Sequence, residues 1–188
     1  MCAPNPFSPH LMLAHALWKG LLQPSDHVID ATCGNGQDTL VLAQLLYRGR
    51  VFAMDMQKRA LERTAARVPG SLYPQVELLH VSHETFPSIV RSQEIKLIVY
   101  NLGYLPGGDK SLTTRAGTTL ASFHEALHLI SWRGAISITC YPGHAEGHLE
   151  EALLHNRALQ LDPACWRVSH FHWTRRRLSP SLLWITRA

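Results

Sequence analysis

Short apolar, β-branched runs alternate along this chain with longer segments whose apolar positions recur every three to four residues, and glycine or proline separates most of them. The proline-rich stretch 4–9 is irregular. Helical spacing then runs over 10–22 behind a Ser8–Pro9 start signal, with Gly20 and Pro24 marking its end. Strands are predicted at 27–30, 50–55, 76–81, 94–101 and 134–141, and helices at 38–47, 57–68, 114–130 and 146–156. Two more strands, 166–173 and 182–186, follow with no helix between them. Five βα alternations and a closing strand pair predict an α/β fold: one mostly parallel seven-stranded sheet with an antiparallel edge strand and helices on both faces. Residues 1–188 read as one domain, with 1–24 a leading helical segment packed across the ligand end of the strands. His15 on that segment reads either as a lid residue or as an ordinary polar-face residue.

The chain is organised around residues 27–39. A β-branched strand ends in Asp30, a glycine turn follows at Gly34, Asn35 and Gly36, and a helix opens at once. Glycines suit a place where a ligand must approach bare backbone, and the helix N-terminus offers unpaired N–H groups. The dinucleotide fingerprint needs a third glycine where this chain has Thr39, and Asp30 would repel a pyrophosphate. A cofactor carrying an ammonium and a sulfonium would be attracted instead, which points to S-adenosylmethionine. The next strand ends in Asp55, about twenty residues past the loop, as recognition of ribose hydroxyls requires. A third strand delivers Ser82, His83 and Glu84 to the same edge, where His83 reads equally as an adenine neighbour or as a helix cap.

Composition narrows the partners. The formal charge is +4, from 18 basic and 14 acidic residues, and the pI of about 9.0 suits a polyanion. Cys2, Cys33, Cys140 and Cys165 show no paired spacing and read as reduced thiols of a cytoplasmic protein. No leader and no membrane-length apolar run is visible. Among the twelve histidines the pairs 80 with 83, 144 with 148 and 170 with 172 stand out, and none has a third convergent ligand in sequence. No metal is therefore expected.

Three motifs taken together resemble a known family: Asp-Ala-Thr-x-Gly-Asn-Gly-x-Asp-Thr at 30–39, Asn-Leu-Gly-Tyr-Leu-Pro-Gly-Gly-Asp-Lys at 101–110 and Tyr-Pro-Gly-His at 141–144. They are similar to the bacterial proteins long labelled ribosomal-RNA methylases. Some members of that family are assigned as the tRNA methyltransferase that converts 5-aminomethyl-2-thiouridine to its methylaminomethyl form at the wobble position. The resemblance covers nearly the whole chain. It implies a Rossmann-like class I methyltransferase, S-adenosylmethionine as donor, and the tRNA anticodon stem-loop as partner; a homodimer is compatible with it. The cofactor positions it implies are Asp30, Thr32, Gly34, Asn35, Gly36, Asp38, Thr39, Asp55 with Met56, His83 with Glu84, and Asn101. The segment 174–181 is more basic than the family pattern, with Pro180 standing before the last strand.

The chemistry follows from an awkward nucleophile. An alkyl amine with a lysine-like pKa, roughly 3 units above neutrality, costs on the order of 4 kcal/mol to present unprotonated. Asn101 suits that task, because its amide oxygen accepts an N–H without adding a charge that would favour the ammonium. The Asn-x-x-Tyr frame from Asn101 to Tyr104 is similar to the Asn-Pro-Pro-Tyr loop of amine-directed methyltransferases, with Leu102 and Gly103 in place of the prolines. Tyr104 reads as a stacking platform for the base or as a packed loop aromatic. His144 is the candidate proton acceptor, since an unperturbed imidazole titrates near neutrality, and Tyr141 would line the same pocket. Lys110, Arg115 and the run Arg175, Arg176, Arg177 are candidate phosphate contacts. Methylation of ribosomal RNA or of a small molecule is the runner-up. A non-catalytic cofactor- and RNA-binding module is the third reading, against which the intact Asn101 loop argues.

Overall fold

A computed structural model describes residues 8–103, 113–173 and 178–188. Helix α1 (Pro9–Leu21) leads into β1 (His27–Asp30), α2 (Gln37–Leu45), β2 (Arg50–Asp55), α3 (Lys58–Arg67) and β3 (Val76–His80). Then come the short α4 (Ser88–Arg91), β4 (Ile95–Asn101), α5 (Ala116–Leu129), β5 (Ile130–Cys140), α6 (Ala145–Leu159), β6 (Trp166–Phe171) and β7 (Ser181–Arg187). A 3₁₀ segment, Gly70–Gln75, lies between α3 and β3. Ser8 sits at the N-cap of α1 in extended conformation with Pro9 opening the helix, but its side chain makes no capping bond. The helix continues through Gly20 to Leu21.

The seven strands form one sheet in the order β3-β2-β1-β4-β5-β7-β6. Pairings from β3 to β5 are all parallel, and β7 runs antiparallel to both β5 and β6. The antiparallel element thus lies at the predicted end of the sheet, one place in from the margin. Central strands are buried on both faces, so neighbouring residues pack into different cores. Ile29, Phe52, Ile98 and Ile138 join one core with Phe123 of α5, while Val28, Val51, Leu97 and Ala135 join the other with Trp18 of α1 and Leu42 of α2. The Trp18 indole N–H also donates to the Ser137 hydroxyl at 3.0 Å, tying α1 to β5.

Strand order reverses between β1 and β4, the place where open α/β sheets bind ligands beyond their C-terminal ends. Register explains what stands there. Asp30, the last residue of β1, pairs with Ala53 and Val99. Asp55 and Asn101 lie two residues beyond those partners, roughly 6.6 Å further along at about 3.3 Å per residue, and on the same face as Asp30. The first acidic residue is therefore recessed and the other two stand at the rim.

Gly36 closes the turn with φ +74°, and a Cβ there would come within 2.7 Å of the Thr64 Cα on α3. Gly36→Ala should thus cost about 2–4 kcal/mol in urea unfolding, through strain and backbone displacement. Gly20→Ala, on α1 with nothing within 4 Å of its new methyl, should gain about 0.5–1 kcal/mol.

Candidate active site

A crevice of about 1070 Å³ opens at the C-terminal ends of β1, β2, β4 and β5. Its floor is the turn after β1. The Gly34 N–H donates to Asp55 Oδ2 at 3.0 Å and the Gln57 N–H to Oδ1 at 2.8 Å, so the carboxylate that ends β2 braces the turn. Burial raises the Asp55 pKa, and those two backbone donors oppose the shift. Arg67 donates to the Asn35 carbonyl and Arg63 to its side-chain oxygen at 2.9 Å, fixing the turn to α3 from outside.

The turn is also tied to the end of β4. The Asn101 N–H donates to Thr32 Oγ1 at 2.7 Å, and the Thr32 hydroxyl donates to the Asn101 carbonyl at 3.2 Å. Asn101 Nδ2 donates to Asp38 Oδ2 at 3.1 Å, and His15 Nε2 lies 2.8 Å from Asp38 Oδ1. With its nitrogen committed to Asp38, the Asn101 amide presents its oxygen as the acceptor. Tyr141 lies beside it, its hydroxyl pKa pushed up by burial and by Asp38 and held back by the Asn101 side chain. The Tyr141 hydroxyl is 3.3 Å from His10 Nε2 on α1.

Most of the predicted positions line the crevice: Thr32, Gly34, Asn35, Asp38, Asp55, Met56, His83, Glu84, Asn101, Leu102, Gly103, Arg115, Tyr141 and His144. Three of the predicted cofactor positions, Asp30, Gly36 and Thr39, do not line it. Asp30 is fully buried behind the wall. Thr39, also fully buried, spends its hydroxyl on Asp30 Oδ2 at 2.6 Å. Gly36 leaves room for Thr64 of the neighbouring helix. Asp38 takes over as the acid that faces the crevice beside the turn. Tyr104, Lys110, Arg175, Arg176 and Arg177 lie outside the described residues.

Two histidines are clarified by their bonds. His83 caps no helix, since α4 opens at Ser88 behind Pro87 and has no side-chain cap. Burial pushes its pKa down to about 4, and its Nε2 is 3.4 Å from Thr119 Oγ1. A neutral imidazole therefore faces the crevice. His144, at the N-cap of α6, accepts the Gly147 N–H on Nδ1 at 3.1 Å. That bond engages Nδ1 in the cap of α6.

Further residues were silent in the sequence. Thr114 clasps Gly103, donating its N–H to the Gly103 carbonyl and accepting the Gly103 N–H on Oγ1, each at 2.9 Å. Its hydroxyl donates to Glu150 at 2.8 Å, and the Ala116 N–H at the start of α5 donates to Glu146 at 2.7 Å. Glu150 is almost fully buried and also accepts from Thr119. Leu11 of α1 and Pro180 complete the walls. Partners this distant in the chain leave no local signal.

Residues 51–187 match the family model described as "Putative rRNA methylase". The chain belongs to this family. Over 184 residues it is 35% identical to the chloroplastic tRNA (mnm(5)s(2)U34)-methyltransferase of Arabidopsis thaliana, covering 92% of this chain and 67% of the relative. A Clostridium thermocellum protein described as a "putative rRNA-methylase" superposes with a TM-score of 0.88 at 30% identity over all of both chains. A Streptococcus mutans methyltransferase, solved in complex with SAH, superposes with a TM-score of 0.83 at 26% identity, covering 97% of this chain and 99% of the other. The protein is a class I methyltransferase by fold and family. Among the described residues no helix is long and apolar enough to cross a membrane.

The recessed acid carries an electrostatic signature. Burial, then the nearby Asp38 charge, push the Asp30 pKa up to about 7, while the Thr39 hydroxyl pulls it down. A carboxyl raised from about 4 in the unfolded chain holds its proton more tightly when folded, so stability falls as pH rises between about 4 and 7. Urea unfolding without added cofactor should show that decline, and Asp30→Asn should flatten it, leaving the variant more stable than the parent at pH 8. An unchanged pH profile would show that Asp30 is not held protonated.

Proposed function

We infer that this methyltransferase takes its methyl group from S-adenosylmethionine and transfers it to the exocyclic amine of 5-aminomethyl-2-thiouridine at the wobble position of tRNA. The observation that carries the reading is the Asp38–Asn101 bond. It fixes a neutral acceptor at the mouth of β4, on the same rim as the carboxylate that would hold the donor's ribose. Two acids near the turn supply the field a sulfonium and an ammonium need, Asp55 at the ribose and Asp38 toward the methionyl end, with Asp30 buried behind them. His83 and Met56 would flank the adenine.

Methyl transfer is an in-line displacement, so the chain's task is to align the amine and exclude charge that would keep it protonated. The Asn101 oxygen accepts one amine N–H without favouring the ammonium, and the amine lone pair is left for the methyl carbon. The amine sheds its ammonium proton before the methyl arrives, and the neutral Asn101 oxygen adds no charge that would retain it. The name borne by the Arabidopsis relative supports tRNA as the acceptor, and the basic composition suits a polyanion. The family description names ribosomal RNA instead, and the two substrates are separated by experiment.

Asp55→Ala should weaken S-adenosylmethionine binding at least tenfold by calorimetry. Asn101→Ala should lower kcat a hundredfold or more while changing cofactor affinity less than threefold; an active variant would remove Asn101 from the chemistry. Nucleoside mass spectrometry of tRNA from cells lacking the gene should show the unmethylated aminomethyl nucleoside accumulating. Intact methylaminomethyl-thiouridine alongside a lost ribosomal RNA methyl group would move the substrate to the ribosome.

A further inference from the structure

Outside the crevice, α6 meets the end of β6 in a group of side chains that methyl transfer does not use. Glu151 on α6, His170 on β6 and His172 just beyond it bring ligand atoms within 4.8 Å of one another. His170 Nε2 lies 3.5 Å from Glu151 Oε1, and His170 Nδ1 lies 3.1 Å from His172 Nε2. The two histidines are two residues apart along an extended backbone, which turns both imidazoles to one face. Glu151 supplies the third convergent ligand that sequence spacing could not reveal.

The surroundings suit an ion. The hydroxyl of buried Ser181 donates to Glu151 Oε1 and lies 3.1 Å from His170 Nε2, orienting the carboxylate from behind. The His155 ring packs against His170 with centroids 4.9 Å apart, fixing the plane of that imidazole. A separate cavity of about 340 Å³, walled by Pro142, His148 and Trp173, reaches Glu151 and His172 and gives a path from solvent. Leu178 stands between this cavity and the crevice, lining both.

We propose that Glu151, His170 and His172 form a binding site for a divalent transition-metal ion of the zinc class, which clamps α6 to the end of β6. Two imidazoles and one carboxylate are a borderline nitrogen and oxygen set, and they leave a fourth position for water. Metal–ligand bonds of about 2.0–2.1 Å place tetrahedral donors roughly 3.3 Å apart, and the three ligand atoms here already lie within 4.8 Å of one another. His170 can offer one nitrogen only, and rotation of the exposed His172 ring completes the set. The clamp acts on the chain immediately before Trp173, whose ring packs edge-on against His10 at 6.0 Å, and His10 in turn contacts Tyr141 of the crevice. Its role is structural: it steadies one wall of the crevice without touching the reacting atoms.

The test uses the full chain stripped with a chelator and titrated with zinc chloride by calorimetry. One equivalent should bind, and the melting temperature should rise by a few degrees at saturation. Glu151→Gln and His172→Gln, which preserve volume and should fold by circular dichroism, should each weaken zinc binding at least tenfold and abolish the thermal shift. The paired variant His124→Ala with His128→Ala, remote from the cluster, should leave both unchanged. Cobalt substitution should give the visible absorption of a tetrahedral ion, lost in His172→Gln. Zinc affinity indifferent to Glu151→Gln and His172→Gln, or lost equally in the remote pair, would overturn the site and leave a hydrogen-bonded chain of side chains.

Discussion

Repulsion among three carboxylates gathered at one glycine turn is the constraint on which the site depends. Asp38, and more weakly Asp55, raise the cost of ionising Asp30, which burial has already made high. An enclosed carboxyl without a counter-charge is among the more expensive things a fold can hold. It persists because the sheet around it is buried on both faces and because its strand ends two residues below its neighbours. A ligand with two positive centres would relieve the repulsion on binding, so the same arrangement that weakens the isolated protein selects the donor.

The donor side and the acceptor side are built as one unit. Thr32 and Asn101 exchange hydrogen bonds across the β1–β4 boundary, and Asp38 holds the Asn101 amide. A shift in the glycine turn would therefore be felt at the acceptor oxygen. On the far side, the Thr114–Gly103 clasp rests on the buried Glu150 of α6. The chain returning from the crevice is thus anchored to a helix rather than left to solvent.

Parallel strands buried on both faces read as unbroken apolar runs, which is why all seven strands and their order of appearance were visible in the sequence. The 3₁₀ segment was not, because Pro69, Gly70 and Pro74 look like simple punctuation. Nor was α4, whose four residues are too few to show a period. β5 begins at Ile130 instead of 134, with Arg133 at φ +57° where the pairing with β4 shifts, and arginine gives no hint of such a bend. The glycine turn, the two acids and Asn101 were legible as a motif. Which acid faces the ligand was not, since it depends on how far β1 reaches relative to β2 and β4. His15, Glu150 and Glu151 act only through partners far away in the chain.

The place of β7 bears on how the molecule is assembled during translation. β6 precedes β7 in the chain, yet β7 lies between it and β5. While the polypeptide emerges from the ribosome, β6 has no neighbour to pair with, and the open edge of β5 is exposed until β7 arrives. Five parallel strands can form in order of synthesis, but the final two must dock together or in reverse. During that interval a bare strand edge is available to chaperones, or to another copy of the chain exchanging its own β7.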